Sequence, residues 1–399
     1  MNYGKLVIVF AAGLAIFGRA PQLFFDPRLW AEEVTVYLER GLTWPWYQAI
    51  WLPDSGYVNL LANGVGILEA RFVPLEYAPV VPLVVSYLIM LLPIVLVVWS
   101  TGAWQNIWSK VAAAAVIVLT VPNQEVWLNS ITSQFHLSLA TGIILALPAV
   151  ESLRLKWLHR AVIILAGLGG AASILLAPLF IFRAWKDRSR ERALQAAILA
   201  GVVIVQLLIS AHYGLGNHVV KFMPGMWWLV IMVKSMLLPF LGSGGAADLI
   251  PLSWPMYIGV SVAAVSGVVA MCCAKVAEAR WLITSALALI FFSLILSLDA
   301  PAKLVSHLVG NRYFFAPNAL LGLALVAWMF HVPFKKKWTR GVGVFVLIWL
   351  AVVGVCEYFN ADPLFFEGPS WRTEIHAWRE DASHVVRVWP RPWTWEVPL

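Results

Sequence analysis

Charge is scarce in this chain. Charged residues make up 12% of its 399 residues, where a soluble domain carries about 25%. That scarcity excludes an ordinary water-soluble fold. Cysteine is scarcer still, at three residues. Cys272 and Cys273 are adjacent in one apolar run and Cys356 lies in another. They exclude a disulfide framework and read as small buried hydrophobes. No Cys/His metal spacing is present. A glycine-rich phosphate loop, a Walker motif and a Ser-His-Asp order are also missing, which argues against a nucleotide-fuelled mechanism. Internal repeats are not apparent, so an inverted-repeat transporter gains no support from self-similarity.

What the chain has is apolar residues, at 61%. A bilayer core needs about 20 of them per helix, and runs of that kind recur from end to end. The fold class this predicts is all-α: a polytopic transmembrane helical bundle of about 9–11 membrane helices. The first span has no Ala-x-Ala-like site before the acidic segment that follows and reads as a retained helix.

The net charge is +7 and the pI about 9.4, yet the placement of the charges speaks against nucleic acid. The basic residues form short clusters between spans: Arg154 to Arg160, Arg183 to Arg192, Lys275 with Arg280, and Lys335 to Arg340. This is the positive-inside pattern. With these clusters and the N-terminus in the cytoplasm, crossings fall at roughly 5–22, 77–99, 108–122, 134–150, 193–212, 254–274, 282–298, 314–331 and 341–358. More than half of the 28 Lys and Arg then lie inside, against Glu151, Asp187, Glu191 and Glu278. Most acids lie outside.

Two stretches break the count. Residues 161–182 have basic clusters at both ends and contain Gly167, Gly169, Gly170 and Pro178. They predict a hairpin of two short helices that dips in and returns, tolerated where it is buried in protein or faces a cavity. Residues 226–241, with Lys234, predict a helix on the outer surface rather than a crossing. On this path residues 1–358 form the transmembrane unit and 359–399 a short outer tail carrying Trp371, Trp378, Trp389, Trp393 and Trp395. The tail reads as a small amphipathic lid on the membrane, or as an aromatic shelf for sugar rings.

The first outer loop, about 23–76, holds the most informative segment, Phe25 to Leu38. Asp26, Glu32 and Glu33 stand there with Arg28, where the chain first leaves the membrane. Carboxylates at that level are costly unless solvated, paired or used. Leu29 to Arg40 reads as an amphipathic interfacial helix, and Trp44-Pro45-Trp46-Tyr47 with Trp51 as a headgroup-level belt. A second interfacial helix opens at Gly56-Tyr57-Val58-Asn59.

Sugar transfer from a lipid phosphate needs a carboxylate to take the acceptor proton, a cation for the departing phosphate and a groove for the lipid. Glu32, Glu33 and Asp26, in that order, are candidates for the base, with Asp54 and Glu69 weaker. A solvated acidic helix face is the plainer reading. Gly310-Asn311-Arg312-Tyr313 supplies the best phosphate candidates, Arg312 with Tyr313, and Arg28 could assist; lipid-headgroup anchoring is the plainer alternative. Lys303, His307, Lys221 and His218 are further outer cations. Gln134, His136, Tyr57 and Asn59 could bond sugar or acceptor hydroxyls, or serve as caps and interfacial polar groups.

Together these elements resemble the GT-C class of membrane glycosyltransferases, nearest to bacterial proteins that modify surface polysaccharide or lipopolysaccharide. The likeness rests on Trp30-Ala31-Glu32-Glu33, Gly56-Tyr57, Ser133-Gln134-Phe135-His136, Arg312-Tyr313-Phe314 to Pro317, and the Trp-rich tail. It implies a GT-C fold, a base in the first outer loop, a polyprenyl-phosphate sugar donor, a glycan or lipid-linked acceptor, and inversion at the anomeric carbon. It implies the bacterial inner membrane, with the site facing the periplasm. No cofactor is demanded, and the need for a divalent metal is left open. Two rivals stand beside it. A lipid-linked sugar flippase would show ionisable residues deep within spans, and a non-catalytic membrane subunit would gather partners through the tail.

Overall fold

The computed structural model describes residues 3–214, 223–250, 267, 276–296, 301–331, 337–360 and 362–397. Helices dominate. The paired strands among the described residues are two short antiparallel hairpins, Pro53–Asp54 on Tyr57–Val58 and Val386–Arg387 on Thr394–Trp395. Among the described residues six helices are long and apolar enough to cross a membrane, so this is an all-α, multi-pass membrane protein.

The chain runs through α1 (Tyr3–Arg19), α2 (Leu60–Phe72), α3 (Val80–Trp99), α4 (Ile107–Leu119) and α5 (Ser133–Ala146). Next come α6 (Leu153–Leu168), α7 (Ala171–Asp187), α8 (Arg190–His212) and α9 (Met226–Leu249). The rest are α10 (Ala277–Leu296), α11 (Arg312–His331), α12 (Lys337–Phe359) and α13 (Trp371–Glu380). The expected crossing at 254–274, apart from residue 267, the cations His218 and Lys221, and Cys272 and Cys273 lie outside the described residues.

Helix α5 is the central pillar. All its residues are buried, and α3, α6, α10 and α11 pack around it. At 1.5 Å per residue it is only about 21 Å long, shorter than a bilayer core. It can be short because protein surrounds it. Arg192 of α8 closes its C-terminal end, donating to the carbonyls of Ile144 (3.1 Å) and Leu147. A cation there also complements the helix dipole. Lys110 does the same for α3, donating to Val98 O at 2.7 Å and Ser100 O at 3.0 Å.

The two irregular stretches resolve differently. Helices α6 and α7 bend by 114° at their junction, where Gly170 has φ 156°, giving the expected hairpin. The stretch around Lys234 is a correction. It is no surface helix: it forms part of α9, a buried and broken helix long enough to span. Lys234 is fully buried. Its ammonium donates to Ser306 O and Val309 O, both at 2.8 Å, and to Asn311 Oδ1 at 2.5 Å. Those acceptors remove the solvation cost that suggested an exposed site. Cys356 also departs from expectation, since it lies exposed on α12.

The polarity of the bundle is uniform. Helix α8 starts among Arg190 and Arg192 and ends at Gln206 and Ser210; α10 starts near Arg280 and ends at Phe292 and Ser293. Those C-terminal ends line one cavity, together with the N-terminal ends of α5 and α11. The described basic clusters therefore occupy the end of the bundle opposite that cavity.

The tail packs on the first outer loop. Trp371, Ile375, Val386, Val388 and Trp395 bury against Leu29, Val34, Leu38 and Ala78. Trp371 Nε1 donates to Leu75 O at 2.7 Å, and Arg379 pairs with Glu76 at 2.6 Å. Trp371, Trp389 and Trp395 are thus buried core residues and form no free shelf, while Trp393 stays exposed.

Candidate functional site

The site is a cavity of about 370 Å³ at the end of the bundle opposite the basic clusters. One wall is polar, with Glu32, Asp54, Tyr57, Glu125, Gln134 and Arg312; the other is apolar, with Ile174, Leu175, Leu207 and Phe292. Most of the polar wall comes from connecting segments held by the rigid helices, the usual home of functional groups.

Local geometry separates the two adjacent glutamates. Ala31 sits in the left-handed region at φ 40°, and its N–H donates to Trp389 O of the tail. A π-helical turn, Glu33–Leu38, follows. Neighbouring side chains on a helix point about 100° apart, so one carboxylate takes the cavity and the other the interior. Glu32 lines the cavity, half-buried. Glu33 is 2% exposed. Its Oε2 accepts from Trp30 N at 2.8 Å, and its Oε1 from Ser130 N at 2.5 Å and Ser130 Oγ at 2.7 Å. Gly66 holds this turn in place: a Cβ there would collide with Tyr37 O, so only glycine lets α2 approach it so closely.

Burial raises the Glu32 carboxyl above its usual range, Arg312 opposes that rise, and Asp54 and Glu125 add to it. Arg312 opens α11. Its N–H donates to Glu125 Oε2 at 2.9 Å, and its guanidinium pairs with Glu125 Oε1. Glu125 thereby caps the helix and orients the Arg312 side chain together. Arg312 also lies 5.0 Å from the Tyr313 ring centre. Tyr57 closes the polar wall from the turn Asp54-Ser55-Gly56, with its hydroxyl accepting from Gln134 Nε2 at 2.9 Å. Burial pushes the Tyr57 phenol up to about 12, against the Gln134 hydrogen bond, so it stays protonated. Gln206 of α8 ties these parts together. Its side-chain amide pairs with Val58 N and O, each at 2.9 Å, and donates to Gly167 O at 3.0 Å.

Of the residues singled out in the sequence, Glu32, Tyr57, Gln134, Arg312 and Tyr313 share this cavity, as does Asp54. Trp30, Gly56 and Phe135 of the same motifs line it too. The remaining described candidates do not. Asp26 accepts from Ser370 Oγ of the tail at 3.1 Å. Arg28 is buried between Trp30 (4.6 Å) and Trp389 (4.8 Å) and donates to Phe365 O and Trp127 O; burial lowers its pKa to about 9. It holds the tail and does not line the cavity with Arg312. Asn59 caps α2 through Ala62 N at 3.1 Å. His136 is buried, bonded to Val126 O at 3.2 Å and packed on Phe315. Glu69 is buried, with no partner on either oxygen among the described residues. Lys303 and His307 are not on the cavity wall.

The sequence reading missed Glu125 and Gln206. Glu125 lay in a short linker, and its signal was an acid emerging at the outer end of a span. Gln206 carried the weaker signal of one amide near the end of an apolar run. Among the described residues, no group of three or more His, Cys, Asp or Glu side chains could hold a metal ion. No protein-family model, curated protein or solved structure matches the chain.

Proposed function

We propose that this chain is a GT-C-type glycosyltransferase of the bacterial inner membrane. On this reading it moves one sugar, with inversion, from a polyprenyl phosphate to a glycan or lipid-linked acceptor on the periplasmic face. The observation that carries the proposal is the shared cavity of Glu32 and Arg312, with an apolar wall beside them. The position of the basic clusters at the other end of the bundle supports the orientation.

The chemistry follows from the side chains. The acceptor hydroxyl gives its proton to the Glu32 carboxylate and its oxygen attacks the anomeric carbon. The bond from that carbon to the phosphate oxygen breaks, and the electron pair leaves with the phosphate. Arg312, held by Glu125, stabilises the charge that develops there. The N-terminal ends of α5 and α11 face the same cavity and add positive potential. Tyr57 and Gln134 offer hydrogen bonds to sugar hydroxyls, and the wall of Ile174, Leu175, Leu207 and Phe292 suits the isoprenoid. A raised pKa fits Glu32 for general-base work nearer neutral pH.

Glu32→Gln tests this. In membranes supplied with a panel of polyprenyl-phosphate hexoses and pentoses, it should cut transfer by about 10²–10⁴-fold with the protein still folded. Transfer at the wild-type rate by Glu32→Gln would overturn the assignment. Glu33→Gln should instead lower the thermal midpoint, because three buried hydrogen bonds end on that carboxylate.

The transporter reading has one observation in its favour, the buried Lys234 within a candidate span. That ammonium is engaged by the segment just ahead of α11, which favours an anchoring role.

A further inference from the structure

A second cleft lies at the basic end of the bundle, remote from the cavity. Helices α3 and α6 flank α5 and leave between them a space of about 200 Å³. Val95, Leu96, Trp99, Leu155 and Leu158 make its walls, and Leu147 lies at the end of α5. Two polar side chains break this apolar lining, Ser100, whose hydroxyl donates to Val97 O at 2.7 Å, and His159. His159 is 4% exposed and lines the cleft, yet its ring nitrogens make no hydrogen bond among the described residues.

Cations stand on both sides of one lining residue, Leu155. Arg154 and Lys156 flank Leu155 in the first turn of α6 and make no ion pair or hydrogen bond among the described residues. Other charges nearby are engaged. Arg160 pairs with Glu191 at 2.5 Å, and Lys110 caps α3 beside Ser100 of the cleft. Glu151 is the nearby acid, exposed and without an ion pair to either free cation.

We propose that this cleft binds a glycerophospholipid with an anionic headgroup. A cleft walled by membrane helices takes its occupant from the bilayer, which selects a lipid. Its apolar length suits one acyl chain. The free cations beside Leu155 match a phosphate at headgroup level, and the imidazole of His159 can donate to a phosphate or ester oxygen. The inference is independent of the chemistry at the opposite end.

The test uses the full-length protein reconstituted in phosphatidylcholine vesicles containing a minority of phosphatidylglycerol. Native mass spectrometry after extraction reads the bound lipid. The wild type should retain phosphatidylglycerol in excess of its bulk ratio. Arg154→Ala with Lys156→Ala should lower that preference by about fivefold per cation removed, and Leu158→Trp should fill the cleft and remove the lipid. Bound lipids in the bulk ratio on the wild type would overturn the proposal. So would an unchanged preference in the double alanine variant, whose side chains flank Leu155 and leave the packing intact.

Discussion

At the scale of single residues, neighbours in sequence have opposite fates. Glu32 and Glu33 are chemically alike, and sequence alone offers no way to divide them. The division depends on the positive φ of Ala31 and the π-turn after it, both fixed by contact with the tail and with α2. Glu69 carries the same lesson further. Burial and the neighbouring Glu33 raise its carboxyl well above the ordinary range, and neither oxygen has a partner among the described residues. A carboxyl whose pKa is higher folded than unfolded stabilises the fold at low pH, and that contribution is lost as pH rises through the folded value. Glu69→Gln should therefore match the wild-type thermal midpoint in acid and exceed it increasingly as pH rises. Parallel midpoints across the range would show that Glu69 is not held neutral.

At the scale of elements, what was legible was what leaves a mark on hydropathy. The spans, the hairpin at Gly169-Gly170, and the acidic and Arg312 segments all stand out as breaks in apolar runs. Connections between distant segments left no such mark. Glu125 meets Arg312 across 187 residues, Gln206 meets Val58 across 148, and the tail meets the first outer loop through Trp371 and Trp395. Lys234 misled for a related reason, since its buried acceptors come from a loop over seventy residues away. The hairpin bend also shapes the site. A Cβ on Gly170 would collide with Gln134, and its φ of 156° disfavours any side chain. Gly170→Ala should displace Gln134 from Tyr57, lower the thermal midpoint by an amount equivalent to about 1 kcal/mol or more and, on the proposed function, raise KM for the sugar donor. Unaltered KM and midpoint would show that the bend tolerates a side chain.

At the scale of the whole molecule, the two ends of the bundle have different chemistry. One end carries exposed basic clusters, with Arg192 and Lys110 turned inward to close helix C-termini. The other carries a cavity with an acid, an ion-paired Arg and an apolar wall in one volume. The central claim is that Glu32 and Arg312 face a lipid-linked phosphate together across that cavity. An experimental structure with a polyprenyl-phosphate sugar bound tests it most directly. The expected result places the phosphate within about 3 Å of the Arg312 guanidinium, with Glu32 across the anomeric carbon from it and the isoprenoid along Leu175, Leu207 and Phe292. A phosphate bound elsewhere, with Glu32 and Arg312 both out of reach of the sugar, would contradict it.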